Sequence, residues 1–131
     1  MEMIISLEDG KKVNAFYKEM VIKTDQPVRS GGEASAPEPF TLFLASIGTC
    51  AGIYVKSFCD QRGIPTDNIK LVQSMTYNQE KKMIGKISID IQLPAGFPEK
   101  YKEAVIKAAD LCAVKKHLAD PPEITVDANI Y

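Results

Sequence analysis

Residues 39–55 read Pro39-Phe40-Thr41-Leu42-Phe43-Leu44-Ala45-Ser46-Ile47-Gly48-Thr49-Cys50-Ala51-Gly52-Ile53-Tyr54-Val55, and none of them is charged. At helical period, Phe40, Phe43, Leu44, Ile47, Ala51, Tyr54 and, further on, Phe58 fall in one broad stripe. Leu42, Ala45 and Ile53 make the opposite side apolar as well. A helix that is apolar all round is buried, so a long central core helix is expected. A membrane span needs ~20 apolar residues, and Pro39, Thr41, Ser46 and Thr49 weaken that reading; no membrane is expected. Gly48 and Gly52 lie four apart and leave one side of the helix without bulk. Either a sheet of the same chain or the same helix of a second copy can approach there. Gly63 and Pro65 end the helix.

Outward from this helix the chain reads as strands. Ile4, Ile5 and Leu7 lead into Asp9-Gly10, a hairpin signal, followed by Val13, Ala15 and Phe16 and then Met20-Val21-Ile22. Residues 25–37, with two prolines and two glycines, form a loop. After the helix, Ile69, Leu71, Met75 and Tyr77 alternate with Lys70, Val72, Ser74 and Thr76. The run from Lys86 to Leu93 alternates cleanly, with Ile87, Ile89, Ile91 and Leu93 toward a core. Tyr101, Ala104, Val105, Ala108 and Cys112 share a helical face, and Asp120-Pro121-Pro122 stops whatever helix follows. Glu123 to Tyr131 reads as a last strand, with Ile124, Val126, Ala128 and Ile130 on one side. Strands, buried helix, two strands, helix and strand make an α+β protein with segregated layers.

The length of 131 residues predicts a single domain, 1–131, since domains run to ~100–200 residues. With 45% hydrophobic and 25% charged residues, the main state is globular rather than disordered. The 16 Lys+Arg against 17 Asp+Glu leave a formal charge of -1, so no nucleic-acid partner held by bulk charge is expected. The first residues lack a basic start followed by an apolar run, which predicts no signal peptide and a cytoplasmic protein.

Cys50, Cys59 and Cys112 are an odd count, and their spacings match no zinc pattern, so no metal is expected. In a reducing compartment their chemistry would be catalytic or redox. Cys59 is about half a turn out of phase with Cys50 and reads as packing. A thiol in an apolar helix is raised in pKa, so Cys50 needs donors or a cation from elsewhere in the fold. Cys112 ends one helical face and is followed by Ala113-Val114-Lys115-Lys116-His117. If a helix starts there, its first amides lower a nearby thiol; if one helix runs through, Cys112 is packed inside it. No proline or glycine at 113 decides between these. Five residues from Cys112, His117 sits off its side of a helix, which speaks against a Cys–His pair or a Cys50–Cys112–His117 metal or hydrolytic site.

Pro39 to Cys50, followed later by Leu111-Cys112-Ala113-Val114-Lys115-Lys116-His117-Leu118, resembles the OsmC/Ohr family of osmotically inducible and organic-hydroperoxide-resistance proteins. The strand order and length agree over nearly the whole chain. The resemblance implies an OsmC-like fold, with antiparallel sheets around a long buried central helix, in an intertwined homodimer. It implies a thiol-dependent reduction of organic hydroperoxides without a cofactor, with Cys50 as peroxidatic and Cys112 as resolving cysteine in an intramolecular disulfide. A lipoyl-type dithiol or small thiol would be the reductant. Phe43, Ile47 and Tyr54 are expected to line an apolar pocket for the organic peroxide.

Three positions depart from the family pattern. The family's Glu, ten residues before the peroxidatic cysteine, falls on Phe40, and Glu38 is a displaced candidate that could instead form a capping box with Ser35. The activating Arg of the family has one candidate before Cys50, Arg29, in the loop. Cys-Pro-Val has become Cys112-Ala113-Val114. These departures leave a second function open: a dimer of the same fold that holds a small apolar or electrophilic ligand without turnover.

Overall fold

The computed structural model describes all 131 residues and divides into two compact units, Met1–Ala45 and Ser46–Tyr131. In the first, β1 (Ile4–Leu7), β2 (Val13–Tyr17) and β3 (Met20–Thr24) form an antiparallel sheet in that order. Ile5 lies opposite Ala15, which lies opposite Ile22. The β1–β2 turn runs through Gly10 at φ +63°, a conformation that costs glycine nothing.

The loop after β3 closes on Asp25, which is 1% exposed. Its carboxylate accepts the Ser35 hydroxyl at 2.6 Å, the Gln26 amide at 2.7 Å, the Ser35 amide at 3.1 Å and the Glu33 amide at 3.4 Å. Gly32 packs so tightly on the Gln26 carbonyl that no Cβ fits. The alternative of a Ser35–Glu38 capping box does not form, because α1 starts at Pro39 and Ser35 lies three residues ahead of the cap position, where its hydroxyl donates to Asp25. Glu38 itself is the residue before the helix, its carbonyl accepting the Leu42 amide at 3.2 Å.

The helix α1 (Pro39–Gln61) starts with proline at its first position, where no amide is needed. Phe40 and Phe43 stack on each other at 5.5 Å and stay exposed, so the buried stripe begins later than the apolar pattern suggests. Its buried side chains are Ile47, Ala51, Val55, Phe58 and Cys59. By length and composition α1 could cross a membrane, but these five side chains are buried in protein. It ends as expected, with Gly63 at φ +68° and its amide on the Asp60 carbonyl at 3.3 Å.

In the second unit, β4 (Lys70–Asn78) and β5 (Met83–Gln92) form an antiparallel hairpin. Leu71, Gln73 and Met75 face Ile91, Ile89 and Ile87 across it, with a bulge at Thr76/Tyr77. The expected alternation on β5 holds: the isoleucines are half-buried, and Lys86, Ser88, Asp90 and Gln92 are exposed. Val55, Phe58, Cys59, Ile64 and Val105 form the core, flanked by Leu71, Ile91 and Tyr101. Phe58 meets Tyr101 edge-on at 5.8 Å and carries the Arg62 guanidinium on its face at 3.7 Å. Gly48 lets the Gln73 amide lie directly against α1, while the side of Gly52 is open. The two glycines therefore differ: the first serves packing on the hairpin, and the second faces open space.

Two short helices follow, α2 (Lys102–Asp110) and α3 (Ala113–Ala119). The expected last strand over Glu123–Tyr131 does not form. Ile124, Val126 and Ile130 are 82%, 94% and 103% exposed. Their alternation suits a strand, but a strand exists only in a ladder, and this segment pairs with none of the five strands of the chain.

Candidate functional site: a thiol pair at a helix break

The question left open at residue 113 is decided by a break. The Leu111 amide turns back to the Ala108 carbonyl at 3.2 Å and closes α2. Cys112 takes an extended conformation, φ −51° and ψ 128°, and α3 starts at Ala113. The Cys112 carbonyl accepts the Lys116 amide at 3.1 Å. The first amides of α3 are thereby left without intrahelical partners.

They are used by sulfur. Cys50, half-buried on α1, accepts a hydrogen bond from the Cys112 S–H and further ones from the Val114 and Ala113 amides. Together these hold the Cys50 thiol below its ordinary pKa, the Cys112 donor contributing most. Cys112 is pushed the other way, first by burial and then by the proton it gives to Cys50, against the pull of the Lys115 and Val114 amides. All three cysteines are free. Burial pushes the Cys59 thiol up as well, and it packs in the core. Two sulfurs 62 residues apart in sequence thus meet, one poised to ionise and the other to stay protonated.

Beside Cys112 lies a cavity of about 290 Å³. Of the three expected pocket residues only Ile47 lines it, with Ala51 from α1 and Ile87, Ile89 and Ile91 from β5. Tyr54 lines a different groove with Ser57 and Arg62. It shares a helix side with Ile47 but stands two turns further along, about 10 Å at the helical rise. Phe43, at the other end, is stacked on Phe40. The sequence reading missed Ile106 and Leu118, whose apolar character was visible without their destination. It also missed the one ion pair at the cavity, Lys115 with Asp110, both side chains exposed. The His117 ring sits 2.7 Å from the Ala113 carbonyl, on the exposed side of α3.

Arg29 and Glu38 belong to the first unit. Arg29 stands exposed on a 3-10 turn, Val28–Ser30, and Glu38 is half-buried ahead of α1.

An α+β chain with two hydrogen-bonded free thiols at a helix start is a dithiol protein by its chemistry. Its sequence matches the model of the OsmC-like protein family over residues 32–127, and the chain belongs to that family. A comparison with curated protein sequences finds no match. Among solved structures it is similar to a Psychrobacter arcticus 273-4 protein described in terms of osmotic stress and detoxification response. There the TM-score is 0.70 and the identity 17%, over 87% of this chain and 85% of that one. An OsmC-like protein from Mycoplasma pneumoniae gives 0.69 at 13% identity, over 92% and 87%. The organic hydroperoxide resistance protein OhrB of Bacillus subtilis gives 0.53 at 15%, over 92% and 93%. These likenesses establish a shared fold.

Proposed function

We propose that this protein reduces organic hydroperoxides through Cys50 and Cys112. The observation that carries the reading is the hydrogen bond from Cys112 to Cys50, with the two thiols shifted in opposite directions. The family and the hydroperoxide-resistance protein of the same fold support it.

The Cys50 thiolate attacks the distal peroxide oxygen. The S–O bond forms, the O–O bond breaks, and the leaving alkoxide takes a proton to become an alcohol. Cys50 is then a sulfenic acid. The Cys112 sulfur attacks it, water leaves, and a disulfide joins the pair. An external dithiol, lipoyl-type, or a small thiol returns both to thiols by exchange. No cofactor enters. The working form on this reading is a cytoplasmic homodimer in which residues 1–131 act as one domain. Arg29 and Glu38 remain candidates for further activation, to be tested as Arg29→Ala and Glu38→Ala on the rate of Cys50 alkylation.

The test is peroxide consumption. Reduced protein mixed with cumene hydroperoxide should lose two thiols per peroxide, and Cys50→Ser should lose that activity. Consumption by Cys50→Ser at the parent rate would refute the reading. Equal, slow alkylation of all three cysteines at neutral pH would favour the ligand-holding dimer instead.

A further inference from the structure

Cys112 adjoins both the aliphatic cavity and Cys50. It is 2% exposed to solvent, forms part of the cavity wall, and directs its S–H at the Cys50 sulfur. An organic group lying among Ile47, Ile87, Ile89 and Ile106 keeps the oxygen bonded to it beside Cys112. We propose that Cys112 is the acid of the oxidative step: its S–H protonates the oxygen that leaves with the organic group, and the transfer turns Cys112 into the thiolate that closes the disulfide. This rests on the proposed peroxidase reaction and assigns the proton which that reaction moves.

The other proton donors of the second unit near these elements are held elsewhere. Lys115, the one ammonium at the cavity, is paired with Asp110. The His117 ring sits 2.7 Å from the Ala113 carbonyl on the exposed side of α3. Tyr54 lines the other groove, with Ser57 and Arg62. In the step itself the Cys50 thiolate bonds to the distal oxygen, the O–O electron pair passes to the leaving oxygen, and that oxygen takes the Cys112 proton. An alkoxide is about as basic as hydroxide, the conjugate base of water at ~15.7, so even a thiol pushed up by burial gives its proton to it. Before the O–O bond breaks, burial and the bond to Cys50 keep that proton on Cys112. Afterwards the Lys115 and Val114 amides stand at the sulfur to hold its charge. The Cys112 thiolate attacks the sulfenic sulfur of Cys50, the S–O bond breaks, and the hydroxide released takes a proton from solvent. One peroxide and two thiols, one of them ionised at the start, give an alcohol, water and a disulfide. A thiol held protonated is a weak nucleophile; the transfer activates Cys112 at the moment a sulfenic acid is there to receive it.

The experiment compares two oxidants. Cumene hydroperoxide releases an alkoxide, which needs a proton; peracetic acid releases a carboxylate, which does not. Loss of the Cys50 thiol is followed by rapid quench and peptide mass spectrometry in the parent, Cys112→Ala, Cys112→Ser and Tyr54→Phe. Each rate is divided by the ionised share of Cys50, read from the pH dependence of iodoacetamide labelling of the same variant. We expect both Cys112 variants to lose about a hundredfold with cumene hydroperoxide, the scale of a positioned general acid, and under about threefold with peracetic acid. Equal losses with the two oxidants, no loss with either, or a selective loss in Tyr54→Phe instead would overturn the proposal and leave the peroxidase reading standing. If the variants do not fold, the parent in heavy water reads the same step: a greater slowing with cumene hydroperoxide than with peracetic acid supports the proposal, and equal slowing overturns it. A parent Cys50 thiol that survives excess cumene hydroperoxide would sink both readings.

Discussion

Cys112 donates its S–H to the sulfur of Cys50, and this one bond moves the two thiols apart in acidity. An intramolecular donor on a thiolate does what a neighbouring cation does elsewhere. The bond exists because the chain leaves the helical conformation at Cys112, which turns its side chain and the α3 amides toward α1.

The first prediction concerns pH. A free cysteine ionises near ~8.5, and Cys50 is held lower, so at pH 7 a larger share of it is thiolate. Iodoacetamide should label Cys50 before Cys59 or Cys112. Replacing Cys112 with alanine removes the largest of the causes, so the pH midpoint of Cys50 labelling should move upward and its rate at pH 7 should fall. A midpoint unchanged in Cys112→Ala would show that the sulfur–sulfur bond does not hold the thiolate.

Asp25 sets a stability window in acid. Its carboxyl is lowered to about 2, chiefly by the Ser35 hydroxyl, then by the Gln26 and Ser35 amides. An unfolded Asp titrates near ~3.9. A depressed folded value means the contribution is complete above the unfolded value and disappears as pH falls toward the folded one. Urea unfolding of the parent should weaken between about pH 4 and pH 2 relative to Asp25→Asn, which should be less stable at pH 7 and lose that part of the pH dependence. Limited proteolysis should cut Asp25→Asn within residues 26–37.

Phe58 supports the core of the second unit. It is 8% exposed, meets Tyr101 edge-on and carries Arg62 on its face. Phe58→Ala should cost about 3–5 kcal/mol, measured as a lowered urea midpoint. A loss under about 1 kcal/mol would mean that the surrounding side chains collapse into the space.

Gly52 tests assembly. Nothing in the chain lies within 4 Å of where its Cβ would stand, so the chain itself has room for a larger residue there. If a second copy of α1 packs on that side in a homodimer, Gly52→Leu should give a helical monomer by light scattering and circular dichroism. A Gly52→Leu protein that remains a dimer would place the contact elsewhere.

Much of this was legible from residues alone. The alternation of Ile87, Ile89 and Ile91 marked β5 and its inward face because a strand has period two. Gly63 marked the end of α1 because glycine takes the left-handed conformation that closes a helix at no steric cost. The last strand misled because Ile124, Val126 and Ile130 have the pattern of a strand without a neighbour to pair with. The stripe on α1 predicted burial for Phe40 and Phe43, where the structure leaves both exposed. Gln73 drew no notice as a polar residue in an apolar alternation, yet it faces α1 because Gly48 makes room for it.

Local periodicity and end signals, each acting over a few residues, were enough to determine the long helix, the three-stranded meander and the β4–β5 hairpin. Which sulfur ionises was beyond them. That depends on the break at Cys112, which no proline or glycine marks, and on α3 amides arriving at a cysteine 62 positions earlier. Acidity is a property of the donors around an atom, and only the tertiary fold decides which donors those are.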